Sequence, residues 1–165
     1  MAKHDLAHDK LLSLLHYNPE TGIFTWKVNA STRARIGVRA GRESSGYRQI
    51  RIHGWLYLEH RLAWFYMNGQ WPDGDIDHKD TDKLNNRISN LRPANDAQNA
   101  ANKNLLKSNT TGFKGIQARP NGRWRASMEA AGQWISLGTY GSKEEAAEAY
   151  LTALESRHGE YARAA

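Results

Sequence analysis

Ile76-Asp77-His78-Lys79-Asp80-Thr81-Asp82-Lys83-Leu84-Asn85-Asn86-Arg87-Ile88-Ser89-Asn90-Leu91-Arg92 sets a carboxylate and an imidazole side by side, then a polar turn, then several amides. Trp71-Pro72-Asp73-Gly74 before it is a turn, so a short strand or bend carries Asp75 to His78. Neighbours on a regular strand point to opposite faces. Asp77 and His78 therefore converge on one site only if the backbone departs from a strand there, and the turn-prone run from Lys79 to Asn86 supplies the departure. Asn90-Leu91-Arg92-Pro93 returns as a second short strand that Pro93 stops, and Asn95 or Asp96 caps a helix running to about Asn104. The expected unit is ββα, with Asn99 in the first turns of its helix, facing back to Asp77.

These residue types suit phosphodiester hydrolysis with one metal ion. The Asp77 carboxylate and the Asn99 carbonyl are hard oxygen ligands, suited to Mg²⁺, Mn²⁺ or another divalent cation that keeps several waters. An unperturbed imidazole can exchange a proton at physiological pH, so His78 is the candidate general base towards an attacking water. Asn90 is placed to hold the His78 ring by an amide hydrogen bond, and Arg87 and Arg92 to clamp flanking phosphates. An Asp-His pair or an Asn-rich loop alone is a common turn composition. The combination from Asp77 through Asn85-Asn86-Arg87 and Asn90-Leu91-Arg92 to Asn99 resembles the phage-type HNH endonucleases, including homing endonucleases. That resemblance implies metal ligation by Asp77 and Asn99, His78 as base and Asn90 in support. It extends upstream to Leu15–Trp26 and to Glu59-His60-Arg61-Leu62-Ala63-Trp64, where His60 reads as scaffold.

Upstream, Leu6, Leu11, Leu12, Leu14 and Leu15 predict a helix over roughly residues 5–16. Asn18-Pro19-Glu20-Thr21-Gly22 is a turn, and Ile23–Val28 a strand. Ala30 to Ser45 is irregular and carries Arg33, Arg35, Arg39 and Arg42 against Glu43 alone; it suits a solvated loop as well as a phosphate-contacting one. Tyr47–Ile52 and Trp55–Leu58 form a β-hairpin turning at His53-Gly54, with Arg48 and Arg51 as candidate backbone contacts. Glu59–Met67 is a helix ended by Asn68-Gly69.

Downstream, residues 105–111 form a polar linker, with Lys103 just before it able to lie along DNA. Gly112–Arg119, Arg123–Glu129 and Gln133–Tyr140 read as three antiparallel strands. A helix follows, capped by Ser142 with Glu145 completing a capping box, and its face of Ala146, Ala149, Tyr150, Ala153 and Leu154 covers one side of the sheet. Lys114, Gln117, Arg119, Arg123, Arg125 and Trp134 are candidates for the other side. Strand chemistry alone fits a solvated face there as well as a ribbon in the major groove. Lys114-Gly115-Ile116, Arg123-Trp124-Arg125-Ala126, Leu137–Tyr140 and Glu144–Tyr150 together resemble the ethylene-response-factor (Apetala-type) DNA-binding domain. Gln117, Asn121 and Ser136 stand where plant members place base-contacting residues, so the plant sequence preference does not carry over.

The bulk numbers agree with a modular nucleic-acid enzyme. The chain has 165 residues, 39% hydrophobic, with 23 Lys+Arg against 17 Asp+Glu, and no cysteine. That charge favours an anionic partner, and the missing thiols exclude disulfides and thiolate zinc sites. No apolar run spans a bilayer and no signal-peptide core is visible. The expectation is an α+β protein, acting in the cytoplasm of a bacterial host and carried by a phage or mobile element. Residues 1–58 form a helix and β-hairpin region, 59–104 a ββα-metal nuclease core, 105–111 a linker and 112–165 a sheet-type DNA-binding domain. It cuts double-stranded DNA as a metal-dependent endonuclease, a monomer for want of any heptad seam. The alternative is a DNA-binding regulator whose nuclease core is silent.

Overall fold

The computed structural model describes residues 6–163 except Ala131. It is a mixed α+β protein with four small antiparallel sheets and four α-helices among the described residues. None of these helices is long and apolar enough to cross a membrane. The chain divides into two compact units, Met1–Asn95 and Asp96–Ala165.

In the first unit, α1 (His8–Leu14) leads directly into β1 (Leu15–Asn18), paired with β2 (Ile23–Trp26). The helix expected as far as residue 16 stops at Leu14; its expected first residue, Asp5, lies outside the described residues. From Leu15 the burial alternates, with Leu15 and Tyr17 inside, because pairing with Trp26 and Phe24 buries both aromatic rows at once. β3 (Arg42–Ser44), β4 (Tyr47–Ile52) and β5 (Trp55–Leu58) form a three-stranded sheet, with β3 an addition to the expected hairpin. Ile50 and Ile52 line its core face, as their alternation requires. α2 (Glu59–Asn68) ends on Gly69 in the left-handed conformation, φ 71°. β6 (Asp75–His78) pairs with β7 (Leu91–Ala94) in the register His78 to Leu91 and Asp77 to Arg92.

One apolar core gathers residues from Leu6 to Leu91, including Leu11, Phe24, Ile50, Leu62 and Ile76. The division expected at residue 58 has no counterpart in packing: α1, the hairpins and the Asp77-His78 strand share that core. The Arg-rich segment after β2 is irregular, as expected, yet pinned. Trp26 N–H donates to Val38 O, Gly37 N–H to Trp26 O and Ala40 N–H to Phe24 O.

The second unit begins with α3 (Asp96–Asn102), so the helix assigned from sequence to the nuclease core clusters with the C-terminal module. β8 (Ile116–Ala118), β9 (Trp124–Ala130) and β10 (Gln133–Tyr140) form the expected antiparallel sheet in the order β10-β9-β8. α4 (Lys143–His158) starts at the expected capping box of Ser142 and Glu145. It buries Ala146, Ala147, Tyr150 and Leu154 against Ile116, Ala126 and Met128. Residues 109–113, partly in the expected linker, are tied into a turn in which Asn109 Oδ1 accepts from Thr111 N–H and Gly112 N–H.

Gly22 makes one close approach that positions the site. Its φ is 73°, and a Cβ there would overlap the backbone of Asn86 and Arg87. The turn between β1 and β2 is thereby pressed on the Asn-rich loop, where Tyr17 Oη also donates to Asn86 O at 2.7 Å. Gly22→Ala is expected to cost about 2 kcal/mol, from left-handed strain plus overlap, and to lower whatever activity depends on Asn86. Urea unfolding of the variant beside wild type measures this.

Candidate functional site

β6 is regular through His78, so Asp77 and His78 project to opposite faces, and the expected departure from strand geometry comes only afterwards. Lys79 N–H still bonds Asn90 O, then Thr81 N–H bonds His78 O and Thr81 takes φ 67°. The two faces carry different partners.

On one face, Asp77 Oδ2 accepts from Arg92 Nε at 2.9 Å and lies 2.8 Å from Arg92 Nη2. Register explains the pair, since Asp77 and Arg92 are directly opposed across β6 and β7. Both are buried. Arg92, assigned from sequence to phosphate, is therefore committed to Asp77, because a buried carboxylate without a counter-ion would be costly.

On the other face, the His78 ring is 5% exposed and its Nε2 meets Asn86 Oδ1 at 3.0 Å. Asn86 Nδ2 donates in turn to Glu59 Oε2 at 2.7 Å. Glu59 is fully buried at the start of α2, and burial drives its carboxyl above the usual range against the Asn86 hydrogen bond and the nearby Arg48 guanidinium. With the Asn86 NH₂ on Glu59, the Asn86 oxygen faces His78 Nε2, so the chain holds the ring in one orientation.

Asn86 thus takes the place expected for Asn90. Asn90 Nδ2 donates to Asp80 Oδ1 at 2.9 Å and to Asn85 O at 2.8 Å, and its Oδ1 accepts from Asp80 N–H. It clasps the base of the 79–90 loop, and so places Asn86 without touching the ring. Burial works to raise the Asp80 carboxyl, but amide hydrogen bonds from Asn85 and Asn90 leave it below its ordinary value.

His60 packs edge-on against His78, 5.0 Å between centroids. Burial, the adjacent His78 and Arg61 push it down to about 3, so it is a neutral packing group, in line with its reading as scaffold. Tyr47 lies 6.5 Å from the His78 ring and carries Lys83 Nζ over its own at 4.6 Å. No sequence signal singled out Glu59, since a carboxylate before an apolar helix is indistinguishable from an ordinary first-turn acid.

The other candidates scatter. Arg48 is half-buried and holds the backbone, donating to Ala40 O and Gly41 O, with Glu59 Oε1 3.8 Å away; it is structural rather than a phosphate contact. Arg51 is exposed and donates to Gly54 O. Arg87 is exposed while bracing Glu20 O and Asn85 Oδ1. Lys103 is exposed, and Asn99 lies on α3 in the second unit. There Lys114 turns inward to Ala101 O and Arg163 O, and burial lowers its ammonium to about 8, which removes it from the free sheet face. Gln117, Arg119 and Arg123 remain exposed, Arg125 half-exposed, and Trp134 is 71% exposed. Among the described residues no three His, Cys, Asp or Glu side chains cluster as metal ligands.

Residues 57–101 match the family model described as HNH endonuclease. Protein 3.8 of Escherichia phage T7 is 36% identical over 106 residues, 63% of this chain and 87% of that protein. An uncharacterized HNH endonuclease of Acanthamoeba polyphaga mimivirus is 32% identical over 138 residues, 83% of this chain and 68% of that protein. The chain belongs to the HNH endonuclease family. This HNH protein is also similar over 59 residues to part of the Arabidopsis thaliana AP2/ERF and B3 domain-containing transcription factor RAV1, 36% identical, 36% of this chain and 17% of that protein. No solved structure matches.

Asn86→Ala is expected to reduce DNA nicking about 10- to 100-fold with DNA binding retained, the usual loss when a ring-orienting partner is removed. Comparing plasmid nicking with gel-shift affinity checks it. His60 also gives a pH dependence. Its folded pKa lies below the unfolded value, so the unfolded chain binds the extra proton and stability is lost as pH falls from about 6.5 towards 3. His60→Phe is expected to flatten that part of the profile by up to about 1.4 kcal/mol per pH unit, read from urea midpoints across the window.

Proposed function

We propose that the protein is a metal-dependent DNA endonuclease, homing-endonuclease-like, that hydrolyses phosphodiester bonds through the ββα-metal core that its motif implies. The observation carrying this reading is the Glu59–Asn86–His78 chain, which holds the imidazole in a fixed orientation through its Nε2. His78 takes the proton from the attacking water, and the fixed ring removes the cost of orienting it at each turnover.

The residues fit a hard divalent cation such as Mg²⁺, with Mn²⁺ as a substitute. Asp77 supplies a carboxylate aimed by Arg92, a hard oxygen donor of the kind such an ion takes beside waters and phosphate oxygens. Asn99 is carried as second ligand by the motif alone. Such an ion, when bound, neutralises phosphate charge and stabilises the departing 3′-oxygen. Arg87, Lys103 and Arg51 are exposed cations for flanking phosphates. The second unit is the targeting module, with Gln117, Arg119, Arg123, Arg125 and Trp134 as its DNA contacts.

With Mg²⁺, supercoiled plasmid or phage genomic DNA is expected to be nicked, and EDTA to stop it. His78→Ala and Asp77→Ala are each expected to lose at least about 100-fold in nicking rate while still shifting DNA in a gel. Full nicking by His78→Ala removes it as the base; binding without cleavage by wild type in any divalent metal establishes the silent regulator instead.

A further inference from the structure

The pinned Arg-rich segment and the β3–β5 sheet enclose an open cleft of about 530 Å³ in the first unit. Arg33, Arg39, Arg42 and Arg51 line it above an apolar floor that includes Trp26 and Leu56. All four arginines are exposed, and none makes an ion pair among the described residues. Arg51 alone is partly engaged, at Gly54 O. Like charges gathered on one concavity repel: Arg39 lowers the proton affinity of Arg48 nearby, second to burial. A solvated loop would relieve this by moving apart. Here the backbone bonds to Phe24 and Trp26 hold the segment and fix the cationic stems.

β4 connects this cleft to the His78 site. Tyr47, beside the His78 ring, opens the strand, and Arg51 lies four residues on; alternation puts Tyr47, Gln49 and Arg51 on one face. The separation is roughly 13 Å at the rise of a strand. Along a duplex that is about four base pairs.

We infer that the Arg33–Arg39–Arg42–Arg51 cleft is a second DNA-backbone site, gripping duplex phosphates roughly four base pairs from the bond that faces His78. This rests on the endonuclease reading for the position of the cut, though not for the binding itself. It assigns the first unit its own grip on DNA, separate from the C-terminal sheet. The bond type is charge-assisted and sequence-independent, so it adds affinity and register without reading bases.

The test is the salt dependence of duplex binding by the full-length chain in EDTA, with plasmid nicking in Mg²⁺ run in parallel. Each lost phosphate contact lowers the slope of log K against log salt by about 0.9. The double variant R33Q/R42Q is expected to lower it by about 1.8 and to weaken binding more than tenfold at low salt, while R33K/R42K keeps the wild-type slope. Among the described residues neither side chain makes a hydrogen bond, and the lysine pair guards against a folding artefact. An unchanged slope in R33Q/R42Q overturns the cleft, even where wild type nicks normally. A fallen slope with no nicking by wild type supports the cleft and removes the endonuclease reading instead. A larger loss on an RNA duplex than on DNA overturns the assignment to DNA.

Discussion

The buried hydrogen-bond chain from Glu59 through Asn86 to His78 is what the first unit is built to hold. A carboxylate out of water is costly unless its oxygens are met, and Glu59 meets one with the Asn86 amide while Arg48 stands 3.8 Å from the other. That cost makes the arrangement directional. The amide joins the two groups, and the orientation of the ring is set before any substrate arrives. The surrounding pieces serve this chain: α2 carries Glu59 into the core, Gly22 lets a turn press on Asn86, and Asn90 closes the loop below it.

The opposite face of β6 runs on a different principle. Asp77 is matched by Arg92 across the ladder, so its charge is compensated in the resting protein. A strand separates the acid from the imidazole by a single residue and still sends them to different environments, one ionic and one neutral.

The two units present their cations differently. The first fixes arginines on a pinned irregular segment; the second has a three-stranded sheet whose helix-covered face is apolar and whose other face bears Arg125 and Trp134. Backbone contacts give affinity and placement, and a sheet in a groove gives choice of site.

The sequence by itself determined the elements whose signals are local. Gly69 as a left-handed cap, the Ser142–Glu145 capping box, the hairpin at His53-Gly54, the paired strands β6 and β7 and the three strands β8–β10 all rest on residues within a turn of each other. It also singled out His78 and Asp77 as candidates for the chemistry. Tertiary structure alone decided which group each would meet. Asn86 rather than Asn90 holds the ring, Arg92 faces Asp77 rather than phosphate, Arg48 and Lys114 turn inward to backbone carbonyls, and Glu59 enters from a helix 27 residues before Asn86. Spacing along a chain limits how far a side chain can reach, but its direction comes from strand register and loop closure. Those are set by what the core buries, as when pairing with Trp26 and Phe24 turned the end of the first expected helix into a strand.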